Sequence, residues 1–298
     1  MPKGHSVHRL ARQFRDVFQG RRLTVSSPQG RFAKGAALLD GRDLTSSEAH
    51  GKHLFLGFDH GLFLHVHLGL YGAWNFGGDD SFRGASSIGA PRKVGEQEVF
   101  DDGVPAEYAG APAPVGAVRV RLEDSHGWAD LRGATTCSVV TAAEVAAVQA
   151  RLGPDPLRNL PGDRERFTTR VLARRTALAA LLMDQNVIAG VGNVYRAELL
   201  FRQRLDPWMQ GKSLGAEAAA LLWDDTRATM NDGVRDGRII TTTARYWSAE
   251  SDRLPDQEEA HFAYRRQGLE CRVCRTAIAM TELSARKLYW CPDCQQTA

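Results

Sequence analysis

Four of the chain's five cysteines stand in two pairs, Cys271 with Cys274 and Cys291 with Cys294, with sixteen residues between the pairs. Two-residue spacing lets both thiolates of a pair reach one metal ion. A gap of about 15–20 residues between such pairs is the ligand pattern of a four-thiolate structural zinc. Two disulfides would use the same residues, but a local bridge over this spacing is strained, and a cytoplasmic chain keeps its thiols reduced. Zinc is the expected occupant. Cys137 lies in a strand-like run from Thr135 to Val140 and reads as a small buried hydrophobe.

A second constellation is Gly190-Val191-Gly192-Asn193, two glycines and an amide at the start of a helical pattern. Exposed backbone N–H groups and the positive end of the helix dipole favour a phosphate there, with Asn193 read as the helix cap. It is not a dinucleotide fingerprint, because Tyr195 holds the third glycine position and helices flank it on both sides. A tight helix–helix turn would explain the glycines equally well. The phosphate reading gains from its company, the arginine-rich run 164–175 and the pair Arg286-Lys287 inside the cysteine unit.

The elements that must position these groups follow from periodicity. Val7, Leu10, Ala11, Phe14, Val17 and Phe18 recur at helical spacing over 7–18, so a helix holds the chain's start in place. From Leu23 to Val140 the pattern is mostly β. Leu54, Leu56 and Phe58, then Leu62, Leu64, Val66 and Leu68, alternate with other residues around an Asp59-His60-Gly61 turn. Val118, Val120 and Leu122 make another strand, and 77–116 reads as a long exposed loop. Thr141 and Glu144 form a capping box that opens a helix over 141–151, which Leu152-Gly153-Pro154-Asp155-Pro156 ends. Helices are expected over 165–183, from Asn193 through Phe201, and over 214–230, with a polar loop at 231–256. The expected fold is multidomain α+β. Residues 1–140 form a β-sandwich with flanking helices, 141–255 a helical domain, and 256–298 the metal unit.

Composition is that of an ordinary globular protein, 43% hydrophobic and 24% charged, with no apolar run near the ~20 residues that span a bilayer. With no signal-like leader, a cytoplasmic, nucleoid-associated location without membrane contact is expected. The net charge of +3 permits a nucleic-acid partner without demanding one.

In its ordered motifs the chain resembles the formamidopyrimidine-DNA glycosylase and endonuclease VIII family. The matching segments are Met1-Pro2-x-Gly4, Gly51-Lys52-His53-Leu54-Phe55, His67-Leu68-Gly69-Leu70-Tyr71-Gly72 and Leu152 through Leu157. Leu182-Met183-Asp184-Gln185, Gly190 through Tyr195, and Arg286 through Gln295 complete the set. Leu70-Tyr71 and the cysteine unit look closer to the endonuclease VIII branch. The resemblance implies a helix–two-turns–helix element in the helical domain, a zinc ribbon, and a monomer that binds double-stranded DNA with a damaged base or abasic site.

It also implies roles for individual residues. Met1 is removed and the Pro2 amine is the nucleophile. A free α-amine titrates near about 8, so a useful fraction is neutral at pH 7. Lys52 supplies a cation to a phosphate or to proton movement. His67, Asn193 and Arg286 grip backbone phosphates. Leu70 and Tyr71 fill the hole left by an everted nucleotide, offsetting part of its lost stacking; as isolated residues they would read as core. Lys3 departs from the pattern, because the family carries a glutamate there that protonates the departing base and opening sugar. A lysine titrating near about 10.4 is a poor general acid at pH 7, and its charge lowers the neighbouring amine's pKa. Weakened base excision is expected, with His5 or His8 as substitute acids. Three activities are compatible with these residues: a glycosylase and abasic-site lyase, a lesion-binding protein with impaired catalysis, and a transcription factor. The last gives no role to Pro2 or to Leu70-Tyr71.

Overall fold

The computed structural model describes residues 3–80, 82–90, 110–248 and 254–296, and the chain divides into two compact units, Met1–Arg151 and Leu152–Ala298. Among the described residues no helix is long and apolar enough to cross a membrane.

In the first unit, α1 (Gly4–Phe18) begins earlier than the apolar spacing requires. Lys3, extended at φ −118°, is its boundary residue, and the Lys3 carbonyl accepts the Val7 N–H at 3.3 Å. The helix buries Val7, Leu10, Phe14 and Phe18, and the Phe14 ring meets Trp74 and Phe76 edge-on at 4.8 and 5.2 Å. The strands are β1 (Arg22–Ser26), β2 (Arg42–His50), β3 (His53–Phe58), β4 (Leu62–His67), β5 (Ala73–Gly78), β6 (Ser87–Gly89), β7 (Val118–Glu123), β8 (Gly127–Arg132) and β9 (Thr136–Thr141), with α2 (Ala33–Leu39) between the first two. Hydrogen-bonded neighbours run β6-β5-β8-β7-β1-β2-β3-β4-β9. Among the described residues the two halves are hydrogen-bonded to each other through Arg22↔Asp43 and Leu23↔Arg42 of β1 and β2. One core takes Leu54, Leu56, Leu64 and Val66 from one half, and Trp74, Val120, Leu122 and Leu131 from the other, as the period-two pattern requires of a sandwich. The expected loop 77–116 contains the end of β5 and all of β6, and its segment 91–109 lies outside the described residues.

Helix α3 (Ala142–Ala150) carries the expected capping box. Glu144 N–H donates to the Thr141 hydroxyl at 3.3 Å, and Thr141 N–H to the Glu144 carboxylate at 2.7 Å. It packs on β4 and β9 with Val145 buried, so the first unit closes after this helix.

The second unit holds α4 (Asp163–Leu172), α5 (Leu178–Leu181), α6 (Asn193–Arg202), α7 (Ala216–Asp236) and a hairpin of β10 (Ala279–Leu283) and β11 (Arg286–Trp290). The single helix expected over 165–183 is broken, because tertiary partners take the backbone of its middle. The Arg174 and Thr176 carbonyls accept from Lys212 N–H at 2.8 Å and Gly211 N–H at 3.0 Å, and Leu178 N–H donates to Met209. The last long helix runs on to 236, where Gly237 at φ +73° ends it in the left-handed region. Phe167, Leu178, Leu199, Trp223 and Met230 form a core that also takes Leu288 of β11. A smaller cluster joins Phe201 and Phe262 to Cys271 and Cys291.

Candidate nucleic-acid interface and metal centre

The start of the chain is strongly positive. Pro2 lies outside the described residues, and Lys3 is half-buried beside α1. His5 is buried, with its Nε2 3.2 Å from the Ser6 hydroxyl. Burial, then the charges of Lys3, Arg9 and His8, hold His5 well below the usual histidine range. That direction disfavours the imidazolium form and works against His5 as the expected substitute acid. His8 is half-buried on the same helix.

Lys52 follows Gly51 in the turn between β2 and β3, and His67 ends β4 directly opposite His53 of β3. The fold thus brings two sequence-distant candidates together, close enough for the Lys52 charge, after burial, to lower the His67 imidazole. Behind them, His53 Nδ1 lies 2.9 Å from His65 Nε2. Burial, with the surrounding histidines and Lys52 adding to it, pushes His53 down to about 3. Burial and His67 push His65 to about 4. Gly69 N–H donates to His67 Nδ1 at 3.2 Å, which places the neutral ring's proton on Nε2. His67 can therefore offer a phosphate a hydrogen bond rather than a full charge.

The segment after His67 is a rigid turn. Gly72 N–H donates to the Leu68 carbonyl at 2.9 Å, and Thr135 N–H to the His67 carbonyl at 3.0 Å. Gly69 sits at φ +67°, and a Cβ there would lie 1.8 Å from the Thr135 hydroxyl. A side chain at Gly133 would lie 2.6 Å from the Tyr71 carbonyl. The backbone so held leaves Leu70 51% and Tyr71 79% exposed. Read as isolated residues they belonged in a core; the turn puts them in solvent.

In the second unit the glycine turn is organised by Gln185, which the sequence marked only as part of a motif. Its amide donates to the Met183 and Val191 carbonyls at 3.1 Å and accepts Gly190 N–H at 3.0 Å. Gly192, not Asn193, is the boundary residue of α6. Asn193 is the first helical residue, and its amide donates to the Lys287 carbonyl at 2.8 Å instead of capping its own helix. Asn193 therefore ties α6 to β11, the strand that begins with Arg286.

The four cysteine Sγ atoms lie within 4.8 Å of one another. The separations Cys271–Cys294 and Cys274–Cys291 are 3.9 and 3.4 Å. Tetrahedral Zn–S bonds of about 2.3 Å require S–S edges near about 3.8 Å, so the donor set fits zinc. Val273 N–H points at Cys271 Sγ and Cys294 N–H at Cys291 Sγ, both at 3.4 Å, an arrangement that suits thiolates. Gln295 accepts Cys291 N–H and donates to the Leu205 carbonyl, each at 3.0 Å, fastening the site beyond the end of α6. The role is structural. Cys137 is apart from this group, and burial pushes its thiol up to about 12.

Comparison with known proteins agrees with this anatomy. Family models described as the formamidopyrimidine-DNA glycosylase N-terminal domain, the formamidopyrimidine-DNA glycosylase H2TH domain, and a zinc finger found in FPG and IleRS match residues 1–133, 152–245 and 268–297. The chain is 41% identical over 295 residues to Endonuclease 8 1 of Mycobacterium tuberculosis, covering 99% of this chain and 100% of that protein. It is 32% identical over 309 residues to the formamidopyrimidine-DNA glycosylase of Bordetella petrii, with 99% and 100% covered. Among solved structures, Lactococcus lactis Fpg in complex with abasic-site DNA shares the fold at a TM-score of 0.71 and 18% identity, over 99% of this chain and 100% of that one. The MutM (Fpg) protein of Thermus thermophilus does so at 0.69 and 24%, over 99% and 98%. The chain belongs to the formamidopyrimidine-DNA glycosylase and endonuclease VIII family.

Proposed function

We propose that this protein is a DNA glycosylase and abasic-site lyase, active in the cytoplasm at the nucleoid, whose base-excision step is weakened by Lys3. The observation that carries the reading is the turn after His67. Two large apolar side chains stand exposed on a glycine-locked backbone, next to a histidine whose Nε2–H can hold a phosphate. Exposed apolar pairs cost solubility unless they have a target. A duplex from which one nucleotide has been turned out offers one of matching size and chemistry.

The Pro2 amine attacks the sugar C1′. A C–N bond forms as the glycosidic bond breaks, and the base leaves with the electron pair and takes up a proton. Ring opening, with a proton to the sugar oxygen, yields an iminium ion, and loss of a C2′ proton then expels the 3′ phosphate. Lys52, His67, Asn193 and Arg286 hold the flanking phosphates. The positive surroundings of Lys3 favour a neutral, nucleophilic amine and attract the backbone, but supply no ready proton to a departing base. A pre-formed abasic site needs no such proton.

Borohydride trapping of the Met-processed protein tests this, on an abasic-site duplex and on a 5-hydroxyuracil duplex, with Pro2→Gly as control. Strong trapping on the abasic duplex, weak trapping on the damaged base and neither with Pro2→Gly are expected. Lys3→Glu should raise excision of 5-hydroxyuracil by at least about tenfold, toward the roughly 10²–10⁴-fold that one general acid contributes. Tight binding without trapping on either duplex would instead leave a reader of damage.

A further inference from the structure

Arg196, one turn into α6, has no exposed surface. Among the described residues no carboxylate bears on it. Burial, then the like charge of Arg286, brings its guanidinium down to about 10. Its Nη2 donates to the Asn193 side-chain oxygen and, at 3.1 Å, to the Lys287 carbonyl. Its Nε and Nη1 are buried with no hydrogen-bond partner among the described residues. A buried guanidinium without an acid is unfavourable, and orphaned donors need an explanation. Arg196 stands near the like charge of Arg286 and at the positive end of the ten-residue α6, a setting that favours an anion.

The hydrogen bonds also decide how Asn193 faces. Arg196 occupies its side-chain oxygen and the Lys287 carbonyl takes one amide hydrogen, so one N–H is left for a ligand. We infer that Arg196 is a positioning residue for backbone-phosphate binding. It clamps Asn193 of α6 to the Lys287 carbonyl of β11, so that Asn193 and the neighbouring Arg286 meet one phosphate as a fixed pair, and that phosphate gives Arg196 a counter-charge. This rests on the DNA-binding reading above. It adds to that reading a residue that touches no solvent and acts through Asn193.

The test is equilibrium binding of the full-length, zinc-loaded protein to a duplex carrying a tetrahydrofuran abasic-site analogue, across a salt series. Wild type, R196M, R196K, N193A and N193A/R196M are compared, with zinc content and melting temperature measured for each. R196M should weaken binding roughly tenfold and flatten the log–log salt dependence by up to about 0.9, the value for one phosphate contact. R196K should keep the wild-type slope and recover part of the affinity, because it keeps the charge but not the fork. The double variant should bind no more weakly than the weaker of the two single variants, because the two residues act as one device. An unchanged slope and affinity in R196M, or losses that multiply in the double variant, would overturn the inference. So would an R196K that binds as weakly as R196M. If R196M does not fold, the cycle is read with R196K in its place. A wild type that does not prefer the abasic analogue to intact duplex would sink the repair reading, while the slopes would still judge Arg196.

Discussion

Leu70 and Tyr71 carry a prediction that separates function from stability. Both are more than half exposed, so Leu70→Ala and Tyr71→Ala remove little folded-state packing. Each should change stability by no more than about 0.5 kcal/mol. Loss of a side chain that fills the gap in the base stack should weaken binding to an abasic duplex by about 1–3 kcal/mol. Calorimetry and a binding titration on the same variants decide it, and a melting shift that tracks the lost affinity would place the two residues in a core after all. The histidines give a second prediction. His5, His53 and His65 titrate below the ordinary value of 6.5 when folded, so the unfolded chain binds protons that the folded chain refuses. Their contribution is complete above about pH 6.5 and is lost as pH falls. By about pH 5.5 each costs on the order of 1 kcal/mol, less for the partly exposed His53. Melting temperature should therefore drop between about pH 7 and 5, above the carboxylate range, and His53→Phe/His65→Phe should flatten that drop.

At the scale of elements, the turn between β4 and β5 is the part to perturb. Gly69→Ala places a methyl group 1.8 Å from the Thr135 hydroxyl on a residue at φ +67°. Strain of about 1–3 kcal/mol is expected, relieved by a shift of the Leu70-Tyr71 segment. Abasic-site binding should fall as far as in Tyr71→Ala, although neither side chain is altered. Full affinity in Gly69→Ala would show that the turn's rigidity is irrelevant. Helix boundaries show where local pattern failed. The arginine-rich run 164–175 has helical propensity throughout, yet the helix stops at Leu172 because the carbonyls of Arg174 and Thr176 find partners at 211–212. A periodicity argument sees only neighbours in sequence and cannot register partners so far along the chain.

At the scale of the molecule, each unit has its own core. The sandwich core lies wholly within the first unit, and the helical and cysteine-linked clusters within the second. Because Leu288 of the hairpin is buried among the helices, zinc and helical packing should stabilise each other. A fragment of residues 152–298 should melt cooperatively with zinc, lose that transition on chelation, and bind intact and abasic duplexes with equal affinity. Circular dichroism and fluorescence anisotropy would show this. Retained cooperative melting without zinc would mean that the helical core stands alone.

Much of this protein was legible in its residues. The cysteine spacing, the alternation of β3 and β4, the amphipathic α1 and the Thr141–Glu144 cap are local patterns, and local geometry realises them directly. The ordered motifs pointed to the family for the same reason: each is a short stretch whose residues act together. Tertiary structure alone decided the rest. It set Lys52 beside His67 across a strand pair, turned Leu70 and Tyr71 into solvent, and made Gly192 rather than Asn193 the start of α6. It also buried Arg196 behind Asn193 against a carbonyl 91 positions away. Those outcomes depend on which distant backbone group satisfies a hydrogen bond, and on which face of a strand or turn remains uncovered, and neither is encoded in the spacing of nearby residues.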